Sequence, residues 1–599
     1  ISNVDEAITC GTGFTVTSVP IALPVTDTAV LESAEGMAVT LPQTLTVTDT
    51  VNLPRFGEFT LSDGRLFAPT QTQMPGAPAV AQQLANEQNR LLVDDGRAGT
   101  YIEPFPNGAD DVNPLDAANP VRTGYTVTGL EGVMYFTFGS YKVEPTAAIV
   151  FDETASPRTV APDLVETPLR VAAFNVLNYF STLGGRGADT TAELDRQTEK
   201  LVEAILALDA DIVALSEIEN NDSASLQTLV DALDDATTPG TWAFVDAGAI
   251  GSDAIKNGLI YTPATVAPVG NPAILDSSVD GRFNNTLNRP ALAQTFDHIA
   301  SGERLTVSAN HLRARACGGA SGADSDQGDG QGCYNATRTD AASALLDWMD
   351  SDPTGSGDPD YLILGDLNSY PMEDPIQALT AGGMDDLGSR YDEPTHAYSF
   401  QFLGEAGALD YILASPSMAL QVLDATHWHI NADELSEFDY NQEDLSTGRP
   451  RPADFFGPDA YRSSDHDPVI AAIVPGSGIV DAGSDDTLLT SNRRSAAADG
   501  TDAATLTVQL VDRSGQPASG VAVELSVTGS AVFSQSSGIT DAGGRFTTAL
   551  TNTVVEEVAV SASYDANGSG TAESAISNGA PQRIDFRDAD QYIFADGFE

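Results

Sequence analysis

The period of the hydrophobic pattern changes twice along this chain, and no single-core fold accommodates that. Residues 1–160 hold short alternating runs, such as Gln43-Thr44-Leu45-Thr46-Val47-Thr48 and Val133-Met134-Tyr135-Phe136-Thr137-Phe138, separated by Gly, Pro, Asp and Asn. Strand side chains point to opposite faces in turn, so this stretch reads as all-β. Residues 169–475 mix two periods. Residues 480–580 return to alternation in Thr505–Val511, Val521–Val527 and Val558–Tyr564, with a loop between Gly515 and Gly520 and a turn at Gly543-Gly544. A chain of 599 residues exceeds what one core organises, so several domains are expected. The expected boundaries are a β domain over 1–160, a linker over 161–168, an α/β domain over 169–475, a β-sandwich over 480–580 and a short acidic tail over 581–599.

Within the middle region, Leu169–Val176, Asp211–Leu215, Leu259–Tyr261, Ala291–Phe296, Leu305–Ala309, Tyr361–Leu364, Asp410–Ala414 and Pro468–Ile473 read as strands. Thr190 to Leu208 reads as a helix: Thr190 and Glu193 form a capping box, and Leu194, Leu201, Ile205 and Leu208 share a face. A second helix covers Asp340–Met349. This mixture points to an α/β sandwich of two packed sheets.

Charge narrows the partners. The chain has 28 basic and 86 acidic residues, a net charge of −58, and only Lys142, Lys200 and Lys256 are lysines. Such a surface repels nucleic acid and anionic membranes at long range. A polyphosphate substrate would need local arginines, divalent cations or screening by salt over about 10 Å or less. Solubility in a saline medium is the simplest reading of the charge. No apolar run is long enough for a transmembrane helix, so no membrane insertion is expected. The chain opens on Ile1 and reads as already processed. Cys317 and Cys333 flank a loop rich in Gly and Asp; a disulfide there would stabilise by roughly 3 kcal/mol and imply an oxidising compartment. Zinc is disfavoured because histidine partners are not nearby. Cys10 is left over, its partner expected in a removed segment.

Polar residues stand where several strand patterns stop. Val171, Ala173 and Asn175 share one face, as do Leu305, Val307, Ala309 and His311. Asp211–Leu215 runs into Ser216-Glu217, Tyr361–Leu364 into Gly365-Asp366-Leu367-Asn368, and Asp465-His466 precedes the last strand. Singly these are turn formers, surface carboxylates or structural histidines. Together, oxygen donors and two of six histidines suit a hard cation, Mg²⁺ or Mn²⁺, and metal-assisted phosphoryl hydrolysis.

Residues 169–475 resemble the endonuclease/exonuclease/phosphatase superfamily, whose fold is deoxyribonuclease-I-like, a four-layer α/β sandwich. The matching segments, in the family's order, are Phe174-Asn175-Val176-Leu177-Asn178, Leu215-Ser216-Glu217-Ile218, Gly258-Leu259-Ile260-Tyr261, Asn310-His311-Leu312, Gly365-Asp366-Leu367-Asn368, Leu409-Asp410-Tyr411 and Ser464-Asp465-His466-Asp467-Pro468. Arg186-Gly187-Ala188-Asp189, Arg196-Gln197 and the loop Gly328–Asn335 resemble a branch of secreted bacterial nucleases. That branch carries an N-terminal OB-fold-like β domain, matched by Glu35-Gly36-Met37 and Tyr101-Ile102. The region 498–565 resembles bacterial immunoglobulin-like modules, a spacer or a surface or matrix contact.

The resemblance implies Glu217 as the main metal ligand, with Asn175 and Asp465 near the ion. It implies His466 as the water-activating base and His311 as the acid or a phosphate stabiliser, with Asp410 holding His311 in its protonated form. Asp366 and Asn368 would bind the phosphate, the attacking water or a metal. One stretch departs from the family. Where some members place a glutamate that orients the second histidine, this chain reads Asp253-Ala254-Ile255-Lys256-Asn257-Gly258. Asp253 could substitute, and Lys256 could meet phosphate, as could Arg289, Arg313 and Arg315. Asp324, Asp326 and Asp329 could bind Ca²⁺, although their spacing is not that of an EF-hand.

The leading expectation is therefore an extracellular, secreted or surface-associated endonuclease acting on DNA or RNA with Mg²⁺ or Mn²⁺, leaving 5′-phosphates. The alternatives are a phosphomonoesterase or another phosphodiesterase of the same superfamily, and a surface binding protein with an inactive core. A lipid substrate would call for an exposed apolar hairpin, which the sequence pattern does not show.

Overall fold

The computed structural model describes residues 16–97, 99–100, 115–444, 449–451, 455–476, 479–513, 515–566, 568 and 570–588. Cys10, Tyr101-Ile102 and the end of the expected acidic tail, 589–599, lie outside the described residues.

Alternating residues near the N-terminus build a closed barrel. Its strands are β1 (Ala38–Asp49), β2 (Glu58–Ser62), β3 (Leu91–Asp94), β4 (Thr126–Thr137) and β5 (Ser140–Pro145). They pair in the order β1-β2-β3-β5-β4, and β4 returns to β1; only β3–β5 is parallel. The inward row includes Leu41, Leu45, Val47, Phe59, Leu61, Val93, Val127, Met134 and Val143. This five-stranded closure is OB-like. The region is not purely β, however, because α1 (Ala77–Gln88) sits between β2 and β3. Only Ala79 and Asn86 of this helix are buried, so it has no apolar stripe for a period scan to detect.

The middle region stacks four layers. One sheet holds, in spatial order, β14 (Val422–His427), β15 (Val469–Ile473), β6 (Leu169–Tyr179), β7 (Ile212–Glu219), β8 (Ile255–Tyr261) and the short strand Ala243–Phe244. The other holds β9 (Val266–Leu275), β10 (Arg289–His298), β11 (Arg304–His311), β12 (Tyr361–Asp366), β13 (Asp410–Ala414) and Asp385–Asp386. The central strands of each sheet bury both faces. Val171, Ala173, Ile212 and Ala214 meet Leu305, Val307, Leu362, Leu364 and Ile412 between the sheets. Ala172, Phe174, Val213 and Leu215 face outward onto α2 (Thr191–Leu208) and α3 (Ala224–Ala236). Ile363 and Leu413 face α4 (Asn335–Asp350) and α5 (Asp374–Ala381). The Thr190–Glu193 capping box forms as expected. Helices α3 and α5 and strands β9 and β14 extend the sequence reading.

The C-terminal region is a two-sheet sandwich. One sheet pairs Leu488–Ser491, Ala504–Gln509, Arg545–Thr551 and Val532–Phe533; the other contains Ser495–Ala497, Gln582–Arg587, Glu556–Tyr564, Ala522–Val527 and Ser537–Ile539. Gln582–Arg587 therefore belongs to the sandwich rather than to a tail. Ile584 and Phe586 are buried in its core, which closes the sheet between Ser495–Ala497 and Glu556–Tyr564.

Candidate active site

The inward faces of the two sheets run out of apolar residues at one end, and the next inward position on several strands is polar. Val171 and Ala173 are followed by Asn175, Val307 and Ala309 by His311, and Leu362 and Leu364 by Asp366. On β13, running the other way, Asp410 precedes Ile412 and Ala414. Register then aligns three of these side chains in one row: His311 is opposite Asp366 across β11–β12, and Asp366 is opposite Asp410 across β12–β13. The strands approach closely here, since a Cβ on Gly365 would lie 2.2 Å from the Asn310 carbonyl oxygen.

The facing sheet loses regularity at the same level. The β6–β7 ladder shifts between Asn175 and Tyr179, where Leu177, Asn178 and Glu217 all have positive φ, 51°, 50° and 69°. A bulge of this kind re-aims a side chain at a site. The Asn178 amide donates to the Glu217 carboxylate at 3.0 Å, and Asn175 Nδ2 donates to Asp366 Oδ2 at 3.2 Å, which joins the two sheets. Ser464 Oγ, donating to the Asn175 carbonyl at 2.6 Å, ties the segment before β15 to β6.

Here the structure corrects the expected pairings. Asp410 does not hold His311. Its Oδ2 lies 2.6 Å from His466 Nδ1 and accepts from Ser399 Oγ at 2.7 Å. His466 thus has the carboxylate partner that its sequence neighbourhood does not supply, and its ring stacks on Phe400 at 4.7 Å. Asp253 is not that partner; it pairs with Arg289 at 3.2 Å and Arg186 at 3.5 Å. His311 Nε2 sits 3.4 Å from Asp366 Oδ2, while its buried Nδ1 has no hydrogen-bond partner.

The charges follow. Burial lowers His311 well below the usual imidazole value, and Arg289, His466 and Arg186 push the same way, so it is neutral rather than protonated. His466 is also desolvated, but Asp410 and Asp366 outweigh that and raise it well above the usual value. Burial raises Asp366 to about 7, against the pull of His466 and helped by Asp410. Burial raises Glu217 as well, with repulsion from Asp465. His466 therefore carries the extra proton and His311 can accept one. For His466 to act as the base, the neighbouring carboxylates must first be neutralised.

A divalent cation fits that requirement. Asp366, Asp410 and His466 each bring a ligand atom within 4.8 Å of the others. Asp410 Oδ1 is buried with no partner, and the carboxylates crowd one another. A bound Mg²⁺ or Mn²⁺ would supply charge neutralisation and polarise a phosphoryl oxygen. Asn368 completes the floor: its amide donates to Asp366 Oδ1 at 2.9 Å and its Nδ2 to the Leu312 carbonyl at 3.1 Å.

Other expected residues fall elsewhere. Lys256 is buried, and its Nζ donates to the carbonyls of Asp222 and Gly248, so it is not free to meet phosphate. Arg289 is 5% exposed and donates to the Leu312 carbonyl while paired with Asp253, so it acts on the site through its field. Arg315 is committed to Glu373. Arg313, half-buried, lies over the Tyr334 ring at 4.5 Å. Asp324, Asp326 and Asp329 do not converge as a Ca²⁺ loop. Asp324 takes the Thr337 amide and hydroxyl, Asp326 the Gly328 amide, and Asp329 the Gln331 amide and side chain. Cys317 and Cys333 are joined by a disulfide.

Residues 172–466 match the model of the Endonuclease/Exonuclease/phosphatase family, and residues 486–577 that of the Bacterial Ig-like domain (group 1). The chain carries an endonuclease/exonuclease/phosphatase domain. Its strand-end cluster is a phosphoesterase active site, with Asp366, Asp410 and His466 as a candidate metal-binding group. Residues 25–156 match DUF8508, a domain of unknown function. No curated protein matches the chain. Among solved structures, an endonuclease/exonuclease/phosphatase from Bacteroides vulgatus is 16% identical over 51% of this chain and 97% of that one, with a TM-score of 0.34. A Bacteroides thetaiotaomicron mannosyl-6-phosphatase gives the same identity and score over 51% and 99%. The human Nocturnin catalytic domain is 20% identical over 51% and 94%, with a TM-score of 0.33. Among the described residues, no helix is long and apolar enough to cross a membrane.

Proposed function

We propose that this chain is a secreted, Mg²⁺- or Mn²⁺-dependent phosphodiesterase that cleaves nucleic acid and leaves 5′-phosphate and 3′-hydroxyl ends. The observation that carries the reading is the Asp410–His466 pair, 2.6 Å apart, beside Asp366 and His311. Asn175, Glu217 and Asp465 would supply further oxygen ligands for the cation, which a hard ion prefers. Charge favours a diester over a monoester. A diester brings one negative charge per phosphate and a monoester up to two, and both must enter a carboxylate cluster on a chain of net charge −58. The Cys317–Cys333 disulfide and the Ig-like domain support an extracellular location.

The depth of the site supports a second reading, a phosphomonoesterase. His311 and Asp366 are each 2% exposed and His466 7%, which suits a small terminal phosphate. A lipid diester gains one feature that the sequence pattern does not show: the turn of the hairpin Phe400–Gly407 exposes Phe402 and Leu403 by 61% and 65%. The acidic surface opposes an anionic membrane.

Supercoiled plasmid, single-stranded RNA, p-nitrophenyl phosphate and bis(p-nitrophenyl) phosphate separate these readings, each with Mg²⁺ or Mn²⁺ across a range of salt and with EDTA. The expected result is cation-dependent nicking of plasmid and hydrolysis of the diester in preference to the monoester. Intact plasmid and RNA beside rapid monoester hydrolysis would replace this reading with the second.

A further inference from the structure

We propose that the N-terminal barrel is a positioning part of the catalytic centre, with Gln71 as its principal contact, rather than a separate module that recruits substrate. The inference rests on the active-site reading above and goes beyond it.

The link runs through one hairpin, Phe400–Phe402 with Glu405–Gly407, which precedes β13. Its inner end is built into the active site. Ser399, fully buried, donates from Oγ to Asp410 Oδ2 at 2.7 Å and accepts from the Leu409 and Asp410 amides at 3.0 Å. Its carbonyl accepts the Asp467 amide at 2.7 Å. Ser399 therefore grips Asp410 and the residue that follows His466, and the next residue, Phe400, stacks on the His466 ring.

The barrel region holds this inner end from outside. Gln71, 7% exposed, donates from Nε2 to the Ala397 carbonyl at 2.8 Å and accepts the Ala408 amide at 2.9 Å. Those positions lie two residues before Ser399 and two before Asp410. Ala68 and Leu66 exchange backbone hydrogen bonds with Ala406, both at 2.9 Å. Farther out, Arg90 binds the Leu403 carbonyl and Glu405, and Asn86 donates to Glu405 at 3.0 Å.

A second set of contacts reaches His466 from its other side. Arg65 meets Asp433 with both guanidinium nitrogens, at 2.7 and 3.1 Å, and Thr123 Oγ1 donates to Asp433 at 2.6 Å. Asp433 also accepts from Tyr398, whose ring stacks on His429 at 3.9 Å; His429 pairs with Asp467 at 2.8 Å. Asn431, two residues before Asp433, donates to the His466 carbonyl at 2.6 Å. A catalytic imidazole clamped from two sides is sensitive to small displacements, and a shift of about 1 Å can cost roughly 100-fold in rate.

The test uses the full chain and bis(p-nitrophenyl) phosphate, a substrate too small to need a recruiting surface. Gln71→Met keeps side-chain volume and removes both inner hydrogen bonds; Arg90→Met removes the outer ones. Gln71→Met is expected to lower kcat by about 10- to 100-fold with KM within about threefold, and to speed hydrogen exchange in residues 397–410. Arg90→Met is expected to change kcat less than about threefold. Thr123→Val serves in place of Gln71→Met if that variant fails to fold, with a smaller fall in kcat expected. Unchanged kcat in Gln71→Met, equal losses in Gln71→Met and Arg90→Met, or a raised KM with kcat preserved would each overturn the proposal. Hydrogen exchange reports on the clamp without activity, so a wild type inactive on this diester would overturn the functional reading alone.

Discussion

The two β domains that flank the catalytic region attach to it in opposite ways. The barrel is joined by buried charge. Arg122 and Asp433 are fully buried, Arg122 Nε lies 2.7 Å from Glu434, and Arg158 adds a second cation to the same carboxylate at 2.5 Å. Such pairs break at high cost because each partner leaves an uncompensated buried charge. The C-terminal sandwich has its own complete core, and Arg513 donates to the Val422 carbonyl at 3.2 Å and to the Tyr391 hydroxyl at 3.3 Å. Two small β folds on one chain thus play different parts, and the number of buried polar ties, not the fold, tells them apart.

The largest effect is expected at the buried charges that join the barrel. Asp433→Ala should destabilise the chain by about 3–5 kcal/mol, because it strands Arg65 in the interface and removes one of the two carboxylates beside Arg122; thermal unfolding measures it. A change below about 1 kcal/mol would mean that the barrel docks without this network. The same residue sets a pH dependence. Asp433 is desolvated, but Arg65 and Arg122 hold it well below the usual carboxylate range. Its ionised form is favoured on folding, so the stability it contributes is present above about pH 4 and is lost as pH falls from there toward the lower folded value. The difference in Tm between wild type and Asp433→Asn should be largest near neutrality and shrink below about pH 4. The smallest effect is expected at the other end. A chain ending at Gly476 should keep kcat and KM within about twofold, since a hydrogen bond such as that of Arg513 contributes only about 1 kcal/mol. A fall of tenfold or more would make the sandwich a catalytic partner too.

Much of the site could be read from the sequence because it continues a pattern. Asn175, His311 and Asp366 each occupy the next inward position after an apolar row, so periodicity alone singles them out. The partner of His466 was not legible, because it depends on pairing between strands far apart. Antiparallel β12–β13 register sets Asp410 beside Asp366, and the segment before β15 crosses from the opposite sheet to meet it. Ser399 and Gln71 left no mark for the same reason, being a buried hydroxyl and a buried amide whose partners come from other segments of the chain. Lys256 misled because a lysine beside a motif suggests phosphate, whereas the β8 backbone turns it inward onto two carbonyls. The missed helix α1 lacks an apolar stripe because it packs chiefly through Ala79 and Asn86.

The Asp410–His466 pair sits at the centre of the proposed cation-dependent phosphoester hydrolysis. Its most direct measurement is the initial rate on bis(p-nitrophenyl) phosphate as Mg²⁺ or Mn²⁺ is titrated into metal-free wild type, His466→Ala and Asp410→Asn. Wild-type turnover is expected to rise with the cation and vanish in EDTA, with both variants slower by about 100- to 10,000-fold and folded at the assay temperature. A His466→Ala variant as fast as wild type, or a wild type equally fast in EDTA, would contradict it.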